Sequence, residues 1–134
     1  FDILHKGHVI YLAKAAELGD RLVIGLNSDT SIQKQNKGLE RPINPQEARE
    51  VVLAALGFVD LIVIFEADTP IELIESLHPN ILVKGADYDP NETDPKHKKY
   101  IVGSDFVRKN NGQVAVVDLE AGFSTTSLIQ KMKS

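Results

Sequence analysis

The fold of this chain is set by the alternation of four short apolar runs with segments of helical periodicity. The runs are Arg21 to Asn27, Asp60 to Phe65, Asn80 to Lys84 and Gln113 to Asp118. Within each run Leu, Ile and Val follow one another with few polar interruptions. That pattern suits strands of a parallel sheet covered on both faces, because a half-exposed strand alternates instead. Parallel neighbours need a crossover, and a helix between strands supplies it. The sequence therefore predicts an α/β domain with a doubly wound, Rossmann-like parallel sheet. With 134 residues the chain has room for one such domain and its core, so residues 1–134 are expected to form a single domain.

The helices are marked by their ends. Val9 to Leu18 is amphipathic and stops at Gly19-Asp20. Ser28 or Asp29 can cap a short helix that reaches about Lys34. Asn44 is placed as an N-cap, Pro45 as the first helical residue and Glu47 as a capping-box partner. Val51, Val52, Ala55 and Leu56 then give that helix an apolar face. Thr69-Pro70 opens a helix to about Leu77, and Ile101 to Asn110 forms another that ends at Asn111-Gly112. A last helix follows Ser124-Thr125-Thr126. Residues 36–44 and 85–99 are polar. The second stretch contains Pro90 and Pro95 and is expected to be a mobile loop, either a lid that orders with ligand or a surface insertion. The chain opens on Phe1 rather than Met, and a strand is expected upstream of it.

Composition narrows the class. A net charge of −4 argues against a nucleic-acid partner held by broad electrostatics. No apolar run approaches membrane-spanning length and no signal-peptide pattern is present, which fits a cytoplasmic protein with no membrane partner. The absence of cysteine excludes disulfides, thiolate metal sites and cysteine nucleophiles.

The chemistry is concentrated at the ends of the predicted strands. His5-Lys6-Gly7-His8 places two imidazoles three residues apart ahead of a helix, where side chains share a face. A helix N-terminus, two His donors and a glycine that admits close approach make a phosphate cradle. The plain alternative is one loop His and one capping His. Asn27-Ser28-Asp29 follows one strand and Lys84-Gly85-Ala86-Asp87 another. Lys84 can balance phosphate charge, or be merely solvated. Asp87 can hold Mg²⁺ or a substrate hydroxyl, or form a turn. Ser124, Thr125 and Thr126 offer hydroxyls to phosphate, or a helix cap. Arg41 and Arg49 can clamp phosphate bidentately, or pair with a carboxylate. His78, His97 and the Lys96 to Lys99 cluster read as solvent-exposed. No Walker loop, dinucleotide fingerprint or metal-ligand cluster is present.

Phe1-Asp2-Ile3-Leu4-His5-Lys6-Gly7-His8 resembles the HxGH signature of the cytidylyltransferase-like nucleotidyltransferases, and Gly122-Phe123-Ser124-Thr125-Thr126 resembles their ISTT-type signature. Within that family, segments along nearly the whole chain are similar to the adenylyltransferase domain of bacterial ADP-heptose synthases. They include Arg41-Pro42-Ile43-Asn44-Pro45, Leu82-Val83-Lys84-Gly85-Ala86-Asp87-Tyr88 and Ile101-Val102-Gly103. The resemblance implies that His5, His8 and Lys37 are catalytic. It implies nucleotide contacts from Gly7, His8, Asn27, Lys84, Gly85, Asp87, Ser124, Thr125 and Thr126, and substrate-phosphate contacts from Lys37, Arg41 and Arg49. Mg²⁺ is expected with ATP, and no metal ligand is assigned.

The implied reaction joins ATP and heptose 1-phosphate into ADP-D-glycero-β-D-manno-heptose and pyrophosphate, in lipopolysaccharide core precursor synthesis. A glycerol-3-phosphate-type cytidylyltransferase is the alternative enzyme. A non-catalytic nucleotide-binding regulatory module is the alternative from another class. A homodimer and a heptose kinase, fused or separate, are the macromolecular partners the resemblance admits. The loop from Asp89 to Lys99 is longer than the family pattern.

Overall fold

The computed structural model describes residues 6–34 and 45–118. In chain order they form α1 (Lys6–Glu17), β1 (Val23–Asn27), α2 (Asp29–Lys34), α3 (Gln46–Ala54), β2 (Leu61–Phe65), α4 (Ile71–Leu77), β3 (Ile81–Gly85), α5 (Ser104–Lys109) and β4 (Gln113–Val117). The expected α/β alternation is present, and the strands pair in parallel. The last predicted helix, the strand expected before Phe1 and the Asn44 cap lie outside the described residues. The described chain forms two compact units that divide between Asp68 and Thr69.

In the first unit β1 and β2 run parallel, in register from Val23 opposite Leu61 to Asn27 opposite Phe65. The Asp60 carboxylate accepts the Leu22 N–H at 2.8 Å and Leu22 O accepts the Asp60 N–H at 3.0 Å, which fixes the start of the pair. β1 alternates between exposed and buried residues. Its inner face, Ile24 and Leu26, packs with Leu12 of α1 and Leu53 of α3. Tyr11, Leu22, Leu56, Phe58, Val59, Ile62 and Ile64 surround that cluster. The apolar stripe predicted for α3 is only partly used: Val51 is 70% exposed, and Leu53 is the residue turned inward.

In the second unit β3 and β4 are parallel, from Ile81 opposite Gln113 to Gly85 opposite Val117. Ile74, Ile101 and Val107 are its most buried apolar side chains. Two glycines are required by close approach. A Cβ on Gly103, whose φ is +89°, would lie 2.6 Å from Ile74 Cδ1. A Cβ on Gly112 would lie 2.5 Å from Val107 Cγ1 and 2.9 Å from the Asn80 carbonyl oxygen. Asn111 takes a left-handed φ of 65° just before, so α5 ends at the predicted Asn-Gly break. α5 itself starts at Ser104, three residues later than expected, because Gly103 breaks the backbone path ahead of it. His78 closes α4 in the left-handed conformation and stacks on Phe106, with ring centroids 5.0 Å apart.

Candidate active site

The histidine-glycine segment is part of a helix. α1 begins at Lys6, three residues before the expected start, so Gly7 and His8 stand in its first turn rather than ahead of it. Gly7 is buried, His8 is half-buried, and His8 Nδ1 is shielded from solvent. The first turn carries the positive end of the helix dipole and favours anions. It contains no acidic residue to oppose that field. Lys6, exposed beside it, adds a cation.

The C-terminal end of β1 is organised by side-chain hydrogen bonds. Ser28 is the N-cap of α2: its Oγ accepts the Ser31 N–H at 3.1 Å. Ser28 N–H donates to Phe65 O at 2.9 Å and so extends the ladder with β2. Asn27 Nδ2 donates to Ser31 Oγ at 3.1 Å, and Ser31 Oγ donates to Ala67 O at 2.9 Å. This chain of bonds orients the Asn27 carboxamide at the strand end, where ligands of such sheets bind.

Asp29, the first residue of α2, is gripped by α3. Its N–H donates to Gln46 Oε1 at 3.0 Å, and its Oδ1 is 2.8 Å from Arg49 Nη2. The Arg49 side chain is 1% exposed and the Asp29 side chain 35%. Of the two readings open for Arg49, the structure shows the carboxylate pair, and a buried one rather than a surface one. Its cause is local. Pro45 stands at the N-cap position, not the first helical position, so α3 starts at Gln46 and Arg49 falls in the second half of its first turn. The Glu47 capping box is accordingly not formed around Pro45, which makes no side-chain cap. Gln46 and Asp29 as partners of the two helices were not singled out by the sequence. The available signal was a Gln and an Arg three apart at a helix start.

Lys84, Gly85 and Asp87 occupy the end of β3 in the second unit. Ala86 N–H donates to Val117 O at 3.1 Å, and Tyr88 N–H donates to Gly85 O at 3.1 Å. The second bond closes a four-residue turn that leaves Asp87 exposed near its apex. The Lys84 ammonium lies 4.6 Å from the centroid of the Tyr88 ring.

The long loop that follows is laced by its own polar groups. Asp89 N–H donates to Lys99 O at 2.9 Å and closes its neck. Asp89 Oδ1, Glu92 Oε1, Asp94 Oδ1 and His97 Nδ1 accept N–H groups two residues ahead, at 2.9–3.1 Å. Arg108 donates to Pro90 O, and Tyr100 Oη to Asp105 Oδ2 at 3.2 Å. This is the construction of a compact Ω-loop. The polar residues that suggested mobility are the ones that close its turns. His78 and His97 are exposed, as the sequence indicates.

His5, Lys37, Arg41, Ser124, Thr125 and Thr126 lie outside the described residues. Among the described residues no group of three His, Asp or Glu side chains could hold a metal ion. No helix among them is long and apolar enough to cross a membrane.

The sequence profile of the cytidylyltransferase-like family matches residues 1–131, which contain both signature segments. The chain belongs to the cytidylyltransferase-like family. It is 53% identical over 99% of its length to the bifunctional protein HldE of Campylobacter concisus. It is 52% identical over all of its length to that of Salmonella paratyphi A, and 51% identical to that of Magnetococcus marinus. The chain spans about a quarter of the length of these relatives, since the matches cover 25–26% of them. Among solved structures, a lipopolysaccharide core biosynthesis protein from Thermoplasma volcanium matches with a TM-score of 0.64 and 25% identity, over 90% of this chain and 89% of that one.

Proposed function

We propose that this chain, as one nucleotidyltransferase domain, transfers the adenylyl group of ATP to heptose 1-phosphate. A phosphate oxygen of the sugar phosphate attacks the α-phosphorus of ATP. The bond from that phosphorus to the α–β bridging oxygen breaks, and pyrophosphate leaves with the electron pair. The products are ADP-heptose and pyrophosphate. The observation that carries this reading is the identity of roughly half of all residues, end to end, with the bifunctional HldE proteins. The catalytic-type segment at α1 supports it.

The work left to the protein is positioning and neutralisation of charge. The phosphate nucleophile is already ionised at neutral pH, so no strong base is required. His5 and His8 are assigned to the transferring phosphoryl group, with the α1 dipole aligned to help them. Asn27, Gly7, Lys84, Gly85, Asp87 and the Ser124-Thr125-Thr126 segment are assigned to the nucleotide. Lys37 and Arg41 are assigned to the substrate phosphate. Arg49 is given a structural part as well. Its guanidinium, buried against Asp29, ties α3 to α2, and the substrate-phosphate contact that the resemblance implies for it stays part of the proposal.

Mg²⁺ enters with ATP and keeps most of its ligands as phosphate oxygens and water, so it needs no protein cage. The exposed carboxylate of Asp87 suits such a site. Bound there, the ion would neutralise charge on the nucleotide phosphates. A cytoplasmic location and a heptose kinase, fused or separate, belong to the same proposal. The test is pyrophosphate release with ATP or CTP against a panel of phosphates. ATP with heptose 1-phosphate should be the productive pair. Turnover with CTP and glycerol 3-phosphate instead would replace this reading with the cytidylyltransferase one. Tight ATP binding with no turnover on any acceptor would make the chain a regulatory module.

A further inference from the structure

We infer that Tyr88 is a positioning residue that holds the Lys84 ammonium in place for the nucleotide phosphates; the inference rests on the nucleotide role proposed for Lys84. Lys84 is the penultimate residue of β3, and its backbone is fixed in register opposite Val116. Its side chain has four rotatable bonds, and ordering such a chain costs rotamer entropy. Tyr88 removes that freedom before a ligand arrives. The Tyr88 N–H to Gly85 O bond turns the chain back on itself, and the aromatic ring comes within 4.6 Å of Nζ.

The geometry has a chemical consequence. A carboxylate in the position of Tyr88 would hold the ammonium but supply a counter-charge against it. An aromatic face holds a cation through its quadrupole and supplies none. The ring itself therefore takes nothing from the lysine's charge. Both side chains are half-buried, where such a contact is stronger than at a fully solvated site. The turn that presents Tyr88 also sets out Asp87, so one backbone hydrogen bond serves the ring and the carboxylate together.

Three variants of the whole chain test this: Tyr88→Phe, Tyr88→Leu and Lys84→Met. ATP affinity with Mg²⁺ is measured by titration calorimetry, which needs no turnover. Tyr88→Leu should weaken ATP binding about fivefold, the scale of one partly desolvated cation–π contact. Tyr88→Phe keeps the π face and should stay within about twofold of the parent. In the Lys84→Met background, Tyr88→Leu should add no further loss, because the two residues act as a pair. An independent readout is the ring-current shift of the Lys84 ε-methylene protons in NMR. They should move upfield in the parent and in Tyr88→Phe, and return to the ordinary lysine position in Tyr88→Leu. Equal weakening by Phe and Leu, unchanged ATP affinity in Tyr88→Leu, or unshifted Lys84 protons in the parent would each overturn the inference. Absence of pyrophosphate release in a parent that still shows these binding and NMR effects would instead fail the catalytic reading alone.

Discussion

At the residue scale the two side chains with the sharpest consequences are His8 and Arg49. His8 stands in the first turn of α1 with one ring nitrogen shielded from solvent. Replacing it with alanine should lower kcat for pyrophosphate release by roughly a hundredfold, the usual cost of losing a preorganised donor to transition-state charge. A folded His8→Ala protein with near-parental turnover would remove His8 from the mechanism. Arg49 is different in kind. Asp29→Ala removes one charge-assisted bond from a guanidinium that is 1% exposed, so it should destabilise the fold by about 1.5–3 kcal/mol. The figure stays below that for an uncompensated buried charge because the Asp29 carboxylate reaches water and Arg49 keeps further contacts. Arg49→Met, which removes the buried charge along with the bond, should cost less than Asp29→Ala. Urea melts of the two variants and of the double variant give the ordering. Equal costs would mean that the charge is not the issue. The residue types at this site were legible in the sequence and their pairings were not. Arg49 could be read as pairing with a carboxylate, but not with which one. Its partner is Asp29, twenty positions earlier, which only the packing of α2 against α3 brings within 2.8 Å.

Elements behave in the same way, with interiors legible and ends less so. The four described strands fall on the apolar runs, with β3 alone reaching one residue further to Gly85, because consecutive β-branched and leucine residues favour extended backbone. Helix starts moved: α1 began three residues early, α3 one residue late and α5 three residues late. Each shift has a glycine or proline at its root, namely Gly7 accepted within a first turn, Pro45 used as a cap and Gly103 held at positive φ. Glycines therefore predict well which positions tolerate a side chain. Gly112→Ala should destabilise by about 1–3 kcal/mol, because its Cβ meets Val107 and two carbonyl oxygens below 3.0 Å. Gly57→Ala has nothing within 4 Å and should change stability by less than about 0.5 kcal/mol. Thermal melts of the pair make the comparison, and equal midpoints would show that the turn at Gly112 relaxes freely. The 86–100 loop gives a further element-scale expectation. Its neck bond and its four side-chain-to-backbone turns should slow exchange at the Asp89, Asn91, Asp94 and Tyr100 amides without any ligand. Exchange of all four at random-coil rates in the nucleotide-free protein would support the mobile loop expected from composition.

At the scale of the whole molecule, the chain spans a quarter of the length of proteins named as bifunctional. The proposed adenylyl transfer can be set against another chemistry, phosphorylation of a sugar hydroxyl. A free sugar hydroxyl must lose a proton as it attacks phosphorus, and it needs a base matched to that task. A sugar 1-phosphate brings its negative oxygen with it and asks only for cations, donors and orientation. Lys37, Arg41, Lys84 and the hydroxyls of Ser124, Thr125 and Thr126 are assigned to tasks of this latter kind, and the proposal gives His5 and His8 charge stabilisation as well. The chain alone should therefore release pyrophosphate from ATP with heptose 1-phosphate. It should release none with a heptose that lacks the anomeric phosphate, and adding a sugar kinase to that second mixture should restore the reaction. The order matters chemically, because phosphorylation of the anomeric hydroxyl must precede adenylyl transfer to it. Pyrophosphate release by this chain from ATP and an unphosphorylated heptose would show that it activates a hydroxyl. It would move the histidine pair from charge stabilisation to base catalysis.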